Sequence, residues 1–161
     1  MTLNTTNTST NPRPDGWHPL AQAGDWHLER SIIDRRAGID GVLKGICRIT
    51  QEDGQQLLLR EEGELVFGTH SGSAWREYKI RLGPDGLIQV FFTDGRAFFA
   101  LDSRTQGTDP LSINHICGDD LYIGQLTIIS AQQWTLAWRI EGPRKQLQIS
   151  SVYRAIEQAK D

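Results

Sequence analysis

The densest group of side chains that could carry out chemistry lies in the segment 114–124. His115 and Cys117 alternate along one strand-like run, and Asp120 and Tyr122 alternate along the next. A hairpin between the two runs would place His115 beside Tyr122 on one surface of a sheet. Imidazole, carboxylate and phenol groups in one place could act as an acid–base set, or they could orient a polar ligand.

Charged side chains also fall on strand faces that are otherwise apolar. Arg30 shares a face with leucine and isoleucine, Glu61 lies on the leucine-rich face of its segment, and Arg76 and Tyr78 alternate on another. Buried charges are costly unless they are paired, so this pattern indicates either an ion-pair network or an anion site. Arg144, in a Gly-Pro-Arg-Lys turn, is either a solvated charge or part of an anion clamp. The candidate ligand-binding residues are Arg30, Glu61, Arg76, Tyr78, His115, Asp120, Tyr122 and Arg144.

The elements that must position these residues are β-strands. From Trp26 onward the sequence alternates with a period of two, and turn signals such as Gly83-Pro84-Asp85-Gly86 and Asp94-Gly95 separate the runs. About ten such runs follow one another without a long helical pattern. The sequence therefore predicts an all-β fold, an up-and-down antiparallel β-barrel of about 8–10 strands. The predicted strands are 26–33, 42–50, 56–62, 74–82, 87–92, 96–101, 112–117, 121–129, 134–141 and 146–154.

The two ends of the predicted sheet carry a Trp and an Arg that are typical of lipocalin-type barrels. Gly24-Asp25-Trp26 opens the first strand and Arg154 closes the last one. In that signature the Trp plugs the closed end of a cup, and the Arg packs across its indole ring as a cation over a π-face. We therefore expect Trp26 to be buried with Arg154 against it.

Length and composition limit the organisation and the function classes. The chain has 161 residues and a net charge of −3, with no basic stripe, which excludes nucleic acid as an expected partner. We predict a disordered tail over 1–16, a single β-barrel domain over 17–161, and a cytoplasmic protein with no membrane partner that could be a homo-oligomer. Cys47 and Cys117 are expected to be reduced thiols, and one disulfide between them is the alternative.

Several kinds of active site lack a signature in this sequence. There is no Gly-x-Ser-x-Gly elbow, no P-loop and no dinucleotide fingerprint. The four histidines are scattered, and Cys117 lies two residues along a strand from His115, which is too far for direct activation of the thiol. We therefore predict no catalytic residue and no metal site, and the sequence specifies no cofactor.

A set of short motifs is similar to one known family, the domain-of-unknown-function family 6314, from about Trp26 to Arg154. The resemblance implies a calycin-type, lipocalin-like barrel, and it implies no established activity. Its more specific pieces are His-x-Cys-x-x-Asp-x-Tyr and Gly-Pro-Arg-Lys. The motifs are Trp26-x-Leu28-x-Arg30, Leu59-x-Glu61-x-Gly63, Arg76-x-Tyr78, Phe92-x-Asp94-Gly95-Arg96-x-Phe98, His115-x-Cys117-x-x-Asp120-x-Tyr122-x-Gly124, Trp134-x-x-x-Trp138 and Gly142-Pro143-Arg144-Lys145.

The leading functional hypothesis is a small-molecule-binding barrel with a central cavity for an apolar ligand that carries an anionic group. Arg30 and Arg76 would meet the anion, and the apolar body would lie against Leu28, Leu59, Ile80, Phe92 and Trp138. An enzyme that uses the same cavity, with His115, Asp120 and Tyr122 as acid–base groups, is the first alternative. A tetrapyrrole or haem binder with His115 as axial ligand is the second, and a structural or protein-interaction role is the third.

Overall fold

The computed structural model describes residues 17–105 and 109–157, which form one antiparallel β-sheet with ten strands. The predicted all-β, up-and-down barrel is confirmed, and the predicted disordered tail, 1–16, lies outside the described residues. A short 3-10 helix, Pro19–Ala21, precedes the strands. The strands are β1 (Gly24–Asp34), β2 (Ile39–Gln51), β3 (Gln56–Phe67), β4 (His70–Leu82), β5 (Leu87–Phe92), β6 (Ala97–Asp102), β7 (Leu111–Cys117), β8 (Asp120–Ser130), β9 (Gln133–Glu141) and β10 (Gln146–Ala155).

The strand order brings the two ends of the sequence together and leaves a seam elsewhere. The order in the sheet is β6-β5-β4-β3-β2-β1-β10-β9-β8-β7. β1 pairs with β10 from Trp26 opposite Ala155 to Asp34 opposite Leu147. β6 and β7 are the two edges of the sheet, and they face each other without a backbone ladder in the part of the chain that the structure describes. The barrel is therefore nearly closed.

Alternating burial explains why these segments form a barrel wall. Along β1 the side chains of Trp26, Leu28 and Arg30 are buried, and those between them are exposed. The inward face predicted for β3, with Leu57, Leu59 and Glu61, is also buried. This alternation places one face of each strand in the interior and the other in solvent.

Trp26 lies at the end of the barrel where β1 begins, which we call the closed end. Its side chain is only 4% exposed, as predicted, and its ring meets Trp134 edge-on at a centroid distance of 6.0 Å. The 3-10 helix covers this end, because Leu20 from that helix is buried and lines the interior beside Trp134. The opposite end, where the turns 35–38, 68–69, 93–96, 118–119 and 142–145 lie, is called the open end.

The predicted contact between Arg154 and Trp26 is wrong. Arg154 pairs with His27 and lies on the outer face, where its side chain is 52% exposed and its Nη1 is 3.8 Å from Glu29 Oε2. The residue beside Trp26 on β10 is Ala155. Side chains alternate along a strand, so the expectation that Arg154 points inward assigned the wrong set of β10 side chains to the interior.

Two further sequence expectations concern the cysteines and membrane-spanning helices. Cys47 and Cys117 are both free, so the alternative of a disulfide between them is wrong. None of the helices within 17–105 and 109–157 combines the length and the apolar character needed to cross a lipid bilayer.

Candidate ligand-binding site

Glu61 is the centre of a buried network of charged and polar side chains in the barrel. Its carboxylate is 3% exposed. Oε2 accepts hydrogen bonds from Arg30 Nη2 at 2.7 Å and from the Tyr153 hydroxyl at 2.7 Å. Oε1 accepts a hydrogen bond from Arg76 Nε at 2.5 Å. One carboxylate therefore serves two guanidinium groups and a phenol.

The strand registers bring these four side chains together. Glu61 on β3 lies directly opposite Arg76 on β4. Arg30 on β1 lies opposite Ser151 on β10, and its Nε donates to Ser151 Oγ at 2.8 Å. Arg30 Nη2 also donates to the Tyr153 hydroxyl oxygen at 3.1 Å. Because Arg30 is 6% exposed and holds three partners, it is committed to the network.

Arg76 is bound to the network on one side only. Its Nε donates to Glu61, whereas its side chain is 37% exposed and it lines the cavity described below. Its guanidinium carbon lies 5.3 Å from the centroid of the Tyr78 ring. Within the described residues, its two terminal nitrogens donate no hydrogen bond. These nitrogens are therefore available to a group that enters the cavity.

The network carries an excess positive charge, because two arginines face one carboxylate. Burial opposes ionisation of Glu61, but the charges of Arg76 and Arg30 and the hydrogen bond from Tyr153 outweigh burial, so the pKa of Glu61 lies below its usual value. Burial likewise acts to lower the pKa of Arg76, but the adjacent Glu61 raises it overall. Burial raises the pKa of Tyr153 well above its usual value, so that its hydroxyl stays protonated and donates to Glu61.

A cavity lies beside this network. Its volume is about 30 Å³, which is room for one or two water molecules. Arg76 and Glu61 are its charged lining residues, and most of the other lining side chains are apolar or aromatic. A few polar groups in an apolar wall are typical of small-molecule sites, and a ligand larger than water enters this cavity only if a lining side chain moves aside. The lining residues are Leu20, Leu59, Glu61, Arg76, Tyr78, Val90, Phe98, Phe99, Trp134, Leu136, Trp138 and Tyr153.

Aromatic rings form the wall of the cavity on the side of the seam. Phe98 stacks on Phe92 with centroids 4.7 Å apart and on Trp138 with centroids 5.1 Å apart. From β7, His115 meets the Phe98 ring at 5.1 Å and the Tyr122 ring at 5.6 Å. Side chains of β6 and β7 therefore close the seam where backbone hydrogen bonds do not.

The predicted site residues fall into three groups. Arg30, Glu61, Arg76 and Tyr78 lie together at the network and cavity, as described above. His115 and Tyr122 are opposite each other in the β7–β8 register, as the predicted hairpin requires, but they contact the aromatic wall rather than the network.

Asp120 and Arg144 form the third group, at the open end. Asp120 Oδ2 lies 3.5 Å from Lys145 Nζ, and Arg144 is exposed in the turn between β9 and β10. Neither side chain makes a hydrogen bond to the network in the described chain. Asp120 therefore has a local ion-pair partner, and it does not contact Glu61 or the two arginines of the network.

The apolar side of the cavity also differs in part from expectation. Leu59 and Trp138 line it, but Leu28 and Ile80 lie in the packed core outside the lining. Phe92 does not line the cavity either, and it stacks on the lining residue Phe98.

Sequence reasoning missed Ser151 and Tyr153, which complete the network. The signal was present, because the face of β10 with Leu147, Ile149 and Tyr153 is more apolar than the face with Arg154. Assigning Arg154 to the interior hid this face. Phe98, Phe99 and Trp134 were also not recognised as lining residues.

Metal binding has no support among the residues that the structure describes. No group of three or more His, Cys, Asp or Glu side chains there could hold a metal ion. The site consists of one carboxylate, two guanidinium groups, hydroxyl groups and aromatic rings. Such a set binds anions and flat or apolar groups.

Comparisons with known proteins give a family match and matches to solved structures. The profile of a family of unknown function (DUF6314) matches residues 22–155. The S-type phycobiliprotein lyase CPES from Guillardia theta is similar in structure, with a TM-score of 0.57 and 9% identity over 92% of this chain and 100% of that chain. A de novo designed fluorescence-activating β-barrel has a TM-score of 0.42 and 11% identity over 84% of this chain and 94% of that chain. The likeness to the lyase shows the fold alone. A comparison with curated protein sequences gives no significant match.

Proposed function

We propose a function from the site itself, because the chain belongs to a family, DUF6314, whose function is not established. The barrel binds a small apolar molecule that carries an anionic group. The observation that supports this proposal is the shared carboxylate: Glu61 is one negative charge between the buried Arg30 and the partly exposed Arg76, so one positive charge is uncompensated beside the cavity. An anionic ligand supplies the missing negative charge.

Arg76 is the residue that would meet the anion. A guanidinium group presents its donors as a planar fork that matches a carboxylate, and Nε is the only donor that Glu61 occupies. Arg30 acts indirectly, because its hydrogen bonds to Glu61, Ser151 and Tyr153 hold the network in place. Burial raises the pKa of Tyr78, so this neutral phenol beside Arg76 could donate a hydrogen bond to the same anion.

The apolar part of the ligand would lie against the aromatic wall. Trp138, Phe98 and Phe99 line the cavity together with Leu59 and Leu136. Desolvating these surfaces is the main favourable contribution to binding, and the charge pair sets orientation and specificity. We include in this proposal a lipocalin-like mode of binding in a cup, and a cytoplasmic setting, which the two free thiols fit.

The acid–base and tetrapyrrole alternatives both depend on His115. Its ring lies against Phe92, Phe98 and Tyr122, and Asp120 pairs with Lys145. No contact of His115 favours proton transfer or axial ligation over packing in the aromatic wall. We therefore place His115 and Tyr122 in the proposed site as wall residues.

The test compares carboxylates with neutral amides of the same shape. Isothermal titration calorimetry would measure binding of 2-naphthoate and decanoate, and of 2-naphthamide and decanamide, to the full chain. We expect at least one carboxylate to bind more tightly than its amide. Arg76→Met should weaken carboxylate binding by about 2–5 kcal/mol and leave amide binding unchanged, because only the carboxylate uses the charge.

The matched control is Arg81→Met, an exposed arginine on the outer face of the same strand. This variant should bind the carboxylates like the wild type. Thermal melts without ligand should show a small effect of Arg76→Met, about 1 kcal/mol, because Glu61 keeps Arg30 and Tyr153. Absence of any carboxylate preference, or a loss of preference in the Arg81 variant as large as in the Arg76 variant, would reject the proposal. Native mass spectrometry of the purified protein then searches for the natural ligand.

A further inference from the structure

We infer that the ligand of this barrel is a flat, conjugated molecule and that it binds by displacing the ring of Phe98. The inference rests on the proposed function, because it names the kind of apolar body that accompanies the anionic group. Three features of Phe98 carry it: the rings on either side, the backbone that holds it, and its position relative to Arg76.

The ring of Phe98 lies in a stack between two other rings. Its plane makes an angle of 13° with Phe92 at 4.7 Å and an angle of 19° with Trp138 at 5.1 Å. Near-parallel, offset rings are a favoured arrangement of π-systems. A flat ligand ring in the place of Phe98 would keep both stacking contacts. A saturated ring is thicker and has no π-face, so it would keep neither.

The backbone at Phe98 is held weakly. The β5–β6 register shifts between Val90 and Phe91, so that Val90 faces Phe99 and Phe91 faces Ala97, and Phe98 has no partner. This bulge directs the rings of both Phe98 and Phe99 toward Trp138. β6 is also an edge strand, with no ladder on its side toward β7 in the described chain. Moving Phe98 therefore disrupts few backbone hydrogen bonds.

Phe98 also lies close to the available cation. The ring of Tyr78 is 5.5 Å from the Phe98 ring and 5.3 Å from the guanidinium carbon of Arg76. One aromatic ring thus separates the stack from the charge. A flat molecule seated between Phe92 and Trp138 could direct an anionic substituent past Tyr78 to the terminal nitrogens of Arg76. The geometry points to a planar aromatic or polyene carboxylate, rather than a saturated or flexible-chain acid, as the ligand class.

The experiment compares 2-naphthoate with decahydro-2-naphthoate, which has the same carbon skeleton and charge but is not flat. Calorimetric titrations use the full-length wild type, Phe98→Ala, and Phe91→Ala as matched control. Phe91 lies at the same bulge on the outer face, where Arg81 covers its ring. We expect the wild type to prefer 2-naphthoate by about tenfold, since two stacking contacts favour the flat ring.

Phe98→Ala should tighten 2-naphthoate binding by about a further tenfold, because the competing ring is gone, and it should change decahydro-2-naphthoate binding by less than about threefold. Phe91→Ala should leave both affinities within about twofold of the wild type. If the alanine variant does not fold, Phe98→Leu takes its place, with the same direction of change. The inference is overturned if the wild type binds 2-naphthoate and decahydro-2-naphthoate with equal affinity, or if the Phe98 variant binds both acids more tightly by the same factor. Either result leaves the Arg76-dependent binding of carboxylates standing. Failure of both acids and of decanoate to bind would instead reject the proposed function.

Discussion

Glu61 is the residue whose ionisation the barrel interior depends on most. Its carboxylate accepts three hydrogen bonds, two of them from guanidinium groups. Protonating it would leave Arg30 buried without a counter-charge and would remove the ion-pair partner of Arg76. The pKa of Glu61 is lowered in the folded protein, so its stabilising contribution is complete above the ordinary glutamate pKa of about 4.3 and is lost as the pH falls through the lower folded-state value.

Tyr153→Phe tests this linkage. The variant lacks one hydrogen bond that lowers the pKa of Glu61, so the folded-state pKa rises toward the unfolded-state value, and the loss of stability on acidification is smaller and is complete at a higher pH. Urea unfolding between about pH 3 and pH 7 would measure the free energy of unfolding. Tyr78→Phe is the control, because Tyr78 makes no hydrogen bond to Glu61 in the described structure. The linkage is wrong if the pH profiles of wild type and Tyr153→Phe are parallel.

At the scale of the element, the β8–β9 pair contains a close approach between the backbone of one strand and an indole ring of the other. Gly124 lies opposite Trp138, and a Cβ on Gly124 would lie 2.6 Å from Cζ3 of that indole. The missing side chain makes room for the ring that Phe98 stacks on. The glycine therefore positions the aromatic wall of the cavity.

Gly124→Ala should push the Trp138 ring out of its place and lower the free energy of unfolding by about 1–3 kcal/mol. Urea denaturation measures this change, and the fluorescence of Trp138 should shift with it. Gly72→Ala is the control on another strand, where a Cβ would meet only His70 Nε2 at 3.8 Å, so the change should stay within about 0.5 kcal/mol. Equal stability of the two variants would show that the close approach does not position the ring.

The strands were largely predictable from sequence, but their faces were less so. Period-two alternation and turn residues predict all ten strands, because burial on one face imposes that pattern. The inward face of β10 was missed because two plausible inward residues, Tyr153 and Arg154, are adjacent, and a shift by one residue exchanges the faces. The bulge at Phe98 breaks the alternation itself, and no local signal separates it from an ordinary apolar pair. The pairing of Glu61 with Tyr153 joins β3 to β10, which sequence periodicity does not specify.

At the scale of the whole molecule, the seam between β6 and β7 should be the least protected part of the barrel. Backbone groups on these edges face no ladder in the part of the chain described, whereas β1 has a ladder on both sides. Hydrogen–deuterium exchange should therefore be faster in β6 and β7 than in β1 by about tenfold or more, which corresponds to ~1.4 kcal/mol of opening free energy. Uniform protection of all ten strands would mean that the seam is closed as firmly as the other strand pairs.

The pairing of β1 with β10 has a consequence for co-translational folding. β1 to β6 emerge as a meander of hairpins, and Arg30 and Glu61 are both present at that stage. Ser151 and Tyr153 complete their hydrogen bonds, and Tyr153 is translated 92 residues after Glu61. Until they arrive, the free edge of β1 and a half-satisfied pair of charges stay open to water and to other chains. The barrel therefore cannot close before β10 has been translated, and the interval before β10 docks is when the chain is most exposed to aggregation.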